Sequence, residues 1–547
     1  MPDPDAIVIG SGPNGLVAAN LLADAGWDVL VLEAQPRIGG AVASDSAVRE
    51  GFVHDTFSSF YPLAAASPTI QGLGLEQHGL EWVHAPSVVG HALGEGRWAV
   101  LHRDPDDTAA GLDELCPGDG DAWLELYRMW CRISEPLIGS LLTPFPPVRH
   151  GTPLAARVVR AGGLDLVRRM LLPSRALGEE LFHGTGPQLL LSGNAAHADI
   201  PVDSPGSGLM GMLLIMLGQQ HGFPVPKGGA GQLAAAMGSR LEAAGGRIRT
   251  SCRVAEVVID GDRAVGVRTA DGDEIRCSRA VVADVAATAL YGQLVPWSKL
   301  PAAVRSRMAR FEWDPGTVKV DWALSGPVPW TGAPDRSPGT VHLTPSVEAL
   351  AFAGADTAAG TIPDRGLVLV GQMATTDPCR APEGAESLWA YTHVPRTIRR
   401  DSMFGGAGGP IQPGAWTREA ADRMADRVQA RVEEQAPGFG DRVLDRRVLG
   451  PSDLHGLDEN LVGGSLNGGT AALQQQLVFR PVPGLGRAET PVKGLYLGSA
   501  AAHPGGGVHG ACGSNAARAA IAHDRTRRWT ARVLPGRGRP AGDPVEA

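Results

Sequence analysis

Two short apolar runs open the chain. Residues 6–9 (AIVI) and 28–32 (DVLVL) carry the dense hydrophobic pattern of buried strands, and residues 16–25 between them contain no proline or glycine and predict a helix. Further on the period lengthens. Trp123, Leu126, Tyr127, Trp130, Ile133, Leu137 and Leu141 recur at helical spacing, and residues 106–222 read as mainly helical. An apolar stripe of that period normally faces a core. Residues 225–246 predict a turn and a helix, the stretch after them a β meander of short alternating strands, and residues 280–283 a return to a buried strand. From about 297 to 477 strands and helices mix with proline-rich loops such as SGPVPWTGAPDRSP, which suggests a second domain on an antiparallel sheet. Residues 495–520 then return to the order seen at the start, with a strand, a glycine-rich loop, and an alanine-rich helix starting near Val508. The tail 533–547 is rich in proline and glycine and reads as disordered. There is no internal repeat.

Composition narrows the class. The 547 residues are 43% hydrophobic, which describes an ordinary soluble globular protein with ample core and room for several domains. A net charge of -9, without a basic stripe interleaved with aromatics, argues against a nucleic-acid partner. Cys116, Cys131, Cys252, Cys277, Cys379 and Cys512 form no C-x-x-C pair and no metal-ligand spacing with histidine, so no metal site and no dithiol centre is expected. The first strand begins within about six residues of the start, which leaves no targeting segment and implies a cytoplasmic protein. The longest apolar segment, residues 209–217 (LMGMLLIML), falls short of the roughly 20 residues a bilayer needs. It could line a greasy pocket or rest on a membrane surface.

The chemistry begins in the first turn. In VIGSGPNGLVAAN, Gly10, Gly12 and Gly15 follow a strand and open a helix, with Pro13 and Asn14 between the last two. That arrangement suits a tight turn, a pyrophosphate lying on the backbone, and close packing of helix on strand. Glu33 ends the second strand about 20 residues after the turn, where a carboxylate accepts ribose hydroxyls and repels a 2′-phosphate. NADP is disfavoured; FAD and NAD remain. The far end decides between them. LYLGSAAAHPGGGVHG supplies a second glycine-rich loop and helix N-terminus, which suits a long dinucleotide held at both ends, and FAD is the cofactor expected.

The set GSGPNG, Glu33, RIGG, VPKGG, SRAVVAD, NLVGGSLNGG and GLYLGSAAAHPGGGVHG resembles the phytoene desaturase and carotenoid isomerase branch of the flavin amine-oxidase superfamily. Within that branch it looks most like the phytoene-dehydrogenase-like group that includes pyridine nucleotide-disulfide oxidoreductase domain-containing protein 2. The resemblance spans nearly the whole chain. It implies an α/β fold with a discontinuous Rossmann-like FAD-binding domain (residues 1–70, 225–296 and 480–530) and an inserted mixed α+β substrate domain (71–224 and 297–479) that includes the helical insert. Carried over by motif, Gly10, Gly12, Pro13, Asn14, Gly15, Glu33, Arg37, Gly39, Gly40, Val254, Gly498, Pro504, Gly505, Gly506, Gly507 and Val508 are expected to touch FAD. Carotenoid desaturases typically carry a Gly-Pro pair after the acidic residue near Asp55, where this chain reads HDTFSSFYPLAAASP, which weakens the transfer of carotene as substrate.

FGGAGG near Gly405 follows no strand, so a second dinucleotide is not expected, and the reaction anticipated is hydride transfer from substrate to flavin N5. Oxygen, a quinone or another diffusible acceptor would reoxidise the flavin. The substrate expected is a lipophilic small molecule, dehydrogenated or isomerised, because hydride loss from an unactivated C–H needs little beyond a dry tunnel and one base. Met210, Met212 and Met216 are candidates for the tunnel lining. Lys319, in the alternating GTVKVDWAL, could act as base or orient a water; as an edge-strand lysine it would only pair with a carboxylate. His503 and His509 flank the flavin loop as further catalytic candidates, or bond to backbone. Two rivals remain: a flavin amine oxidase, and a non-catalytic escort of prenylated proteins. The lipophilic reading also carries a potential peripheral contact with a membrane.

Overall fold

The computed structural model describes residues 3–403 and 409–533. Two sheets organise it. The first has five parallel strands in the order Leu495–Leu497, Ala280–Ala283, Ala6–Ile9, Val29–Leu32 and Arg247–Arg249. Strands buried on both faces require continuous apolar runs, which is what AIVI, VLVL and AVVA supply. The helices Pro13–Asp24 and Ala511–Val533 cover one face through small residues: Ala18, Ala19, Ala516, Ala517 and Ala520 pack with Val8, Val29 and Val282. Alanine on both helices lets their backbones approach the sheet and each other closely. On the other face lies the antiparallel meander Val254–Asp260, Arg263–Thr269 and Glu274–Arg276, sealed by Leu290, Leu294, Val482 and Leu485.

The second sheet has seven strands, ordered Val443–Leu449, Gly316–Leu324, Glu386–Val394, Val368–Gln372, Pro338–Leu343, Ser87–Gly94 and Arg97–Leu101. The expected antiparallel sheet is therefore mixed: Pro338–Leu343 runs parallel to Ser87–Gly94, and the last two strands come from upstream of the helical segment. Their GEG turn closes a hairpin that reading the segment only for helices passes over. Helix Arg418–Gln435 covers the back of this sheet, where Val318, Val320 and Trp322 join Met424, Val428 and Phe439 in one core.

The segment between the sheets is helical from Pro105–Leu115 to Ser207–His221. Of the predicted stripe, Trp123, Leu126, Trp130, Ile133 and Leu137 are buried in its core. Met212 and Met216 join that core, so of the three methionines proposed for a tunnel only Met210 borders a cavity. Residues 534–547 of the tail and residues 404–408, which hold most of FGGAGG, lie outside the described residues.

Candidate active site

All five strands of the parallel sheet end toward the same side, and the residues just past those ends build the site. After Ile9 the chain turns through Gly10, at φ 90°, into a helix whose N-cap Gly12 has no capping side chain. No side chain fits in this turn. A Cβ on Gly10 would stand 2.7 Å from the Asp284 carbonyl oxygen, one on Gly12 2.7 Å from Asp284 Oδ2, and one on Gly15 2.3 Å from the Gly10 oxygen. Asn14, in the first turn, keeps Oδ1 buried without a partner. A bare helix N-terminus beside an orphaned polar atom is a fitting place for a diphosphate.

Glu33 follows directly after Val29–Leu32 and is buried. Its Oε2 accepts the Ser11 N–H at 2.8 Å and the Ser11 hydroxyl at 2.7 Å, while Oε1 accepts the Gln35 N–H at 2.8 Å. Those donors fix the carboxylate beside the turn and leave acceptor capacity for a ribose diol. The chain leading to Val254 lies against it, the Cys252 N–H donating to the Glu33 carbonyl at 2.7 Å. Gly39 donates its N–H to the Ser11 carbonyl at 3.0 Å, and a Cβ on Gly40 would stand 3.2 Å from the Gly12 Cα, so the glycine pair packs onto the first turn. Arg37 is exposed and stands apart from the cavity.

Asp284, at the end of Ala280–Ala283, was legible only as part of a strand motif. Its Oδ2 accepts the Gly15 N–H at 2.8 Å. Burial, opposed by that hydrogen bond and reinforced by nearby Asp458 and Glu33, pushes its pKa up to about 8.

Gly498 follows the last strand, and the loop after it folds across the sheet toward Gly12. Pro504, Gly506, Gly507 and Val508 border the same cavity as Gly12, Pro13 and Asn14, so the N- and C-terminal glycine elements face one space. Gly505 turns the other way, against the guanidinium of Arg480. Arg480 is fully buried and among the described residues has no carboxylate partner; it donates instead to the carbonyls of Asn467, Thr470 and Ala500. The helix starts at Ala511 and not near Val508, because Gly510 at φ 66° interrupts the backbone between them.

The catalytic candidates also border the cavity. His503 lies 2.9 Å through Nε2 from the Thr143 carbonyl, and His509 Nδ1 accepts the Ala511 N–H at 3.0 Å. Burial lowers the pKa of both, that of His509 to about 4, so both are neutral near pH 7 and tied to backbone. Lys319 is not on an edge. Its strand runs between Glu386–Val394 and Val443–Leu449, and the residue is 4% exposed. Its ammonium donates to the Asp55 carbonyl at 2.9 Å and to Asp321, which Arg447 holds in turn at 2.9 Å. Burial lowers the lysine pKa, while Asp321 works against the shift.

The cavity measures about 490 Å³. Besides these groups it touches Tyr391, His197 and Asp199, none of which carries a spacing that sequence reading could single out, and Asn467, which sits in the NLVGGSLNGG motif. Among the described residues no cluster of His, Cys, Asp or Glu could hold a metal, and no helix is long and apolar enough to cross a membrane.

A glycine turn that a Cβ would fill, a fixed carboxylate past the second strand, and a second glycine loop facing the first together fit FAD. Comparisons with known proteins agree. The sequence profile of the flavin containing amine oxidoreductases matches residues 14–377. Pyridine nucleotide-disulfide oxidoreductase domain-containing protein 2 of Rattus norvegicus is 29% identical over 94% of this chain and 93% of its own length. The neurosporene-forming phytoene desaturase of Cereibacter sphaeroides is 27% identical over 58% of this chain and 57% of its own. The structure of putrescine oxidase bound to putrescine superposes with a TM-score of 0.57 at 17% identity, over 95% of this chain and 99% of that one. The chain belongs to the flavin containing amine oxidoreductase family, and its cofactor is FAD.

Proposed function

We propose that the protein dehydrogenates, or isomerises without net redox change, a lipophilic substrate of isoprenoid or polyene type. The observation that carries this reading is the apolar part of the cavity wall. Leu141, Leu142, Leu213, Leu214, Leu217 and Phe223 line it, a surface suited to an apolar chain and poor at holding water. Bound FAD supplies a two-electron acceptor. The chain contributes the dry wall, the loop holding His503 and His509, and Lys319, whose ammonium is fixed at the cavity margin where it can orient or exchange one proton.

The likeness to a phytoene desaturase supports a lipophilic substrate. Oxygen or a quinone is proposed as the final acceptor. The exposed Val148, Leu164 and Leu171 on the outer helices support a peripheral contact with a membrane. A second reading, amine oxidation, is favoured by one feature: the rings of Trp389 and Tyr391, both on the cavity, stack at 5.7 Å. Anaerobic flavin bleaching against lipid, isoprenoid and amine pools separates the two. Bleaching by isoprenoids supports the proposal, and bleaching by hydrophilic amines alone overturns it.

A further inference from the structure

The cavity wall is not uniformly apolar. At one place Tyr391, His197, Asp199 and Asn467 come together, from three separate parts of the chain. Asn467 donates to Asp199 Oδ2, and His393 Nδ1 lies 2.6 Å from Asp199 Oδ1. The His197 ring sits 6.2 Å from that of Tyr391 and 5.6 Å from that of His342.

These groups have more hydrogen-bonding capacity than the protein uses. Among the described residues the Tyr391 hydroxyl and both nitrogens of His197 make no hydrogen bond. Behind His197, the fully buried His342 has neither ring nitrogen partnered, and Thr317 Oγ1 on the same cavity is also unpartnered. Tyr391 is only half-buried and, like His197, borders the cavity, so these groups are donors and acceptors offered to whatever polar group enters it.

The charge balance restricts what that is. Burial holds the His197 pKa down to about 3, so the imidazole is neutral. Burial pulls the His393 pKa down, but the facing Asp199 carboxylate outweighs it and the net shift is upward. Asp199 Oδ1 and His393 Nδ1 thus already engage each other at 2.6 Å, and burial raises the Asp199 pKa as well. A ligand carboxylate would meet Asp199, and a ligand ammonium would compete with His393. A hydroxyl or carbonyl meets neither penalty.

The patch also adjoins the C-terminal glycine loop and Lys319. A Cβ on Gly506 would stand 2.5 Å from Asn467 Oδ1, so Asn467 rests on the C-terminal glycine loop, and Tyr391 is the cross-strand neighbour of Lys319.

We propose that the substrate is an amphiphile: a lipophilic chain bearing one uncharged oxygen function, hydroxyl or carbonyl, seated between Tyr391, His197 and Asn467. This rests on the lipophilic reading above and narrows it, excluding pure hydrocarbons as the preferred ligand.

The test uses the FAD-loaded protein and four probes of one carbon skeleton: farnesol, farnesene, farnesylamine and farnesoic acid. Binding is measured by equilibrium ultrafiltration with mass-spectrometric quantitation. Farnesol is expected to bind about tenfold tighter than farnesene, the ratio given by one or two hydrogen bonds, and Tyr391→Phe and Asn467→Leu should each erase most of that difference. Flavin absorbance and a melting curve verify that each variant is loaded and folded. Equal binding of farnesene and farnesol to the unaltered protein overturns the polar seat but leaves the lipophilic reading standing. Tightest binding of farnesylamine or farnesoic acid overturns the charge argument. Failure of all four to bind removes the lipophilic reading itself.

Discussion

The Asp284 carboxylate accepts the backbone N–H of Gly15 at 2.8 Å, fastening the first helix to a strand 269 residues away. The bond closes the glycine turn from its far side. It also sets a pH dependence, because burial pushes the Asp284 pKa up to about 8 from 3.8.

For Asp284 the folded-state pKa lies above the unfolded one, so the folded apoprotein holds a proton that the unfolded chain releases. Its contribution to stability is fully present below about pH 4 and is lost as pH rises through about 8. Asp284→Asn keeps an acceptor for Gly15 and cannot ionise. The variant's stability relative to the unaltered apoprotein should therefore rise between pH 5 and 8, by about 3–4 kcal/mol. Urea denaturation of both proteins at several pH values checks this, and a difference that stays flat with pH would mean that the carboxyl is already ionised at pH 5.

Glu33 is held by Ser11 and Gln35, so truncating it would loosen the glycine turn as well as remove a ribose acceptor. Glu33→Gln keeps the shape but removes the charge and turns one oxygen that accepts from Ser11 or Gln35 into a donor. FAD affinity should fall about tenfold, the share of a charge-assisted bond, and the melting temperature of the apoprotein should fall by a few degrees as one turn hydrogen bond is lost. Titration of apoprotein with FAD measures it; an unaltered Kd would mean the carboxylate serves only the turn.

Lys319→Met is expected to leave FAD bound and slow substrate-driven flavin reduction about a hundredfold, since a positioned proton-transfer group contributes on that scale. Arg447 still holds Asp321 in the variant, which limits the structural damage. Stopped-flow reduction gives the rate. A rate near that of the unaltered protein would assign Lys319 to the buried ion-pair chain alone.

The glycine elements and Glu33 that point to FAD were legible in the sequence because their signals are local. Gly10 to Gly15 lie in one turn, Glu33 follows the next strand, and Pro504 to Val508 form one loop. The substrate half was not legible, for a physical reason. His197 ends a helix, Tyr391 sits mid-strand and Asn467 lies in a loop, so only the packing of the mixed sheet against the helical block joins them. A lone histidine or tyrosine has no spacing that reveals such a meeting. The methionines failed differently. Helix Ser207–His221 is apolar nearly all round, so periodicity cannot tell its core face from its cavity face.

That ambiguity yields a paired test. Met212 and Leu214 are two residues apart on this helix, both almost fully buried, but Met212 packs in the core with Trp130 while Leu214 borders the cavity. A carboxylate placed at either position is desolvated at a cost of several kcal/mol. At Met212 no space is available, so Met212→Asp should destabilise the whole helical block and lower the yield of folded protein. At Leu214 the carboxylate meets the cavity and can draw in water. Leu214→Asp should therefore fold, bind FAD with near-normal affinity, and lose farnesol binding about a hundredfold. Melting curves, FAD titration and ultrafiltration distinguish the two variants. If Leu214→Asp retains full affinity for farnesol, the lipophile does not run along this helix. If Met212→Asp folds normally and loses farnesol instead, the cavity and core faces of the helix are exchanged.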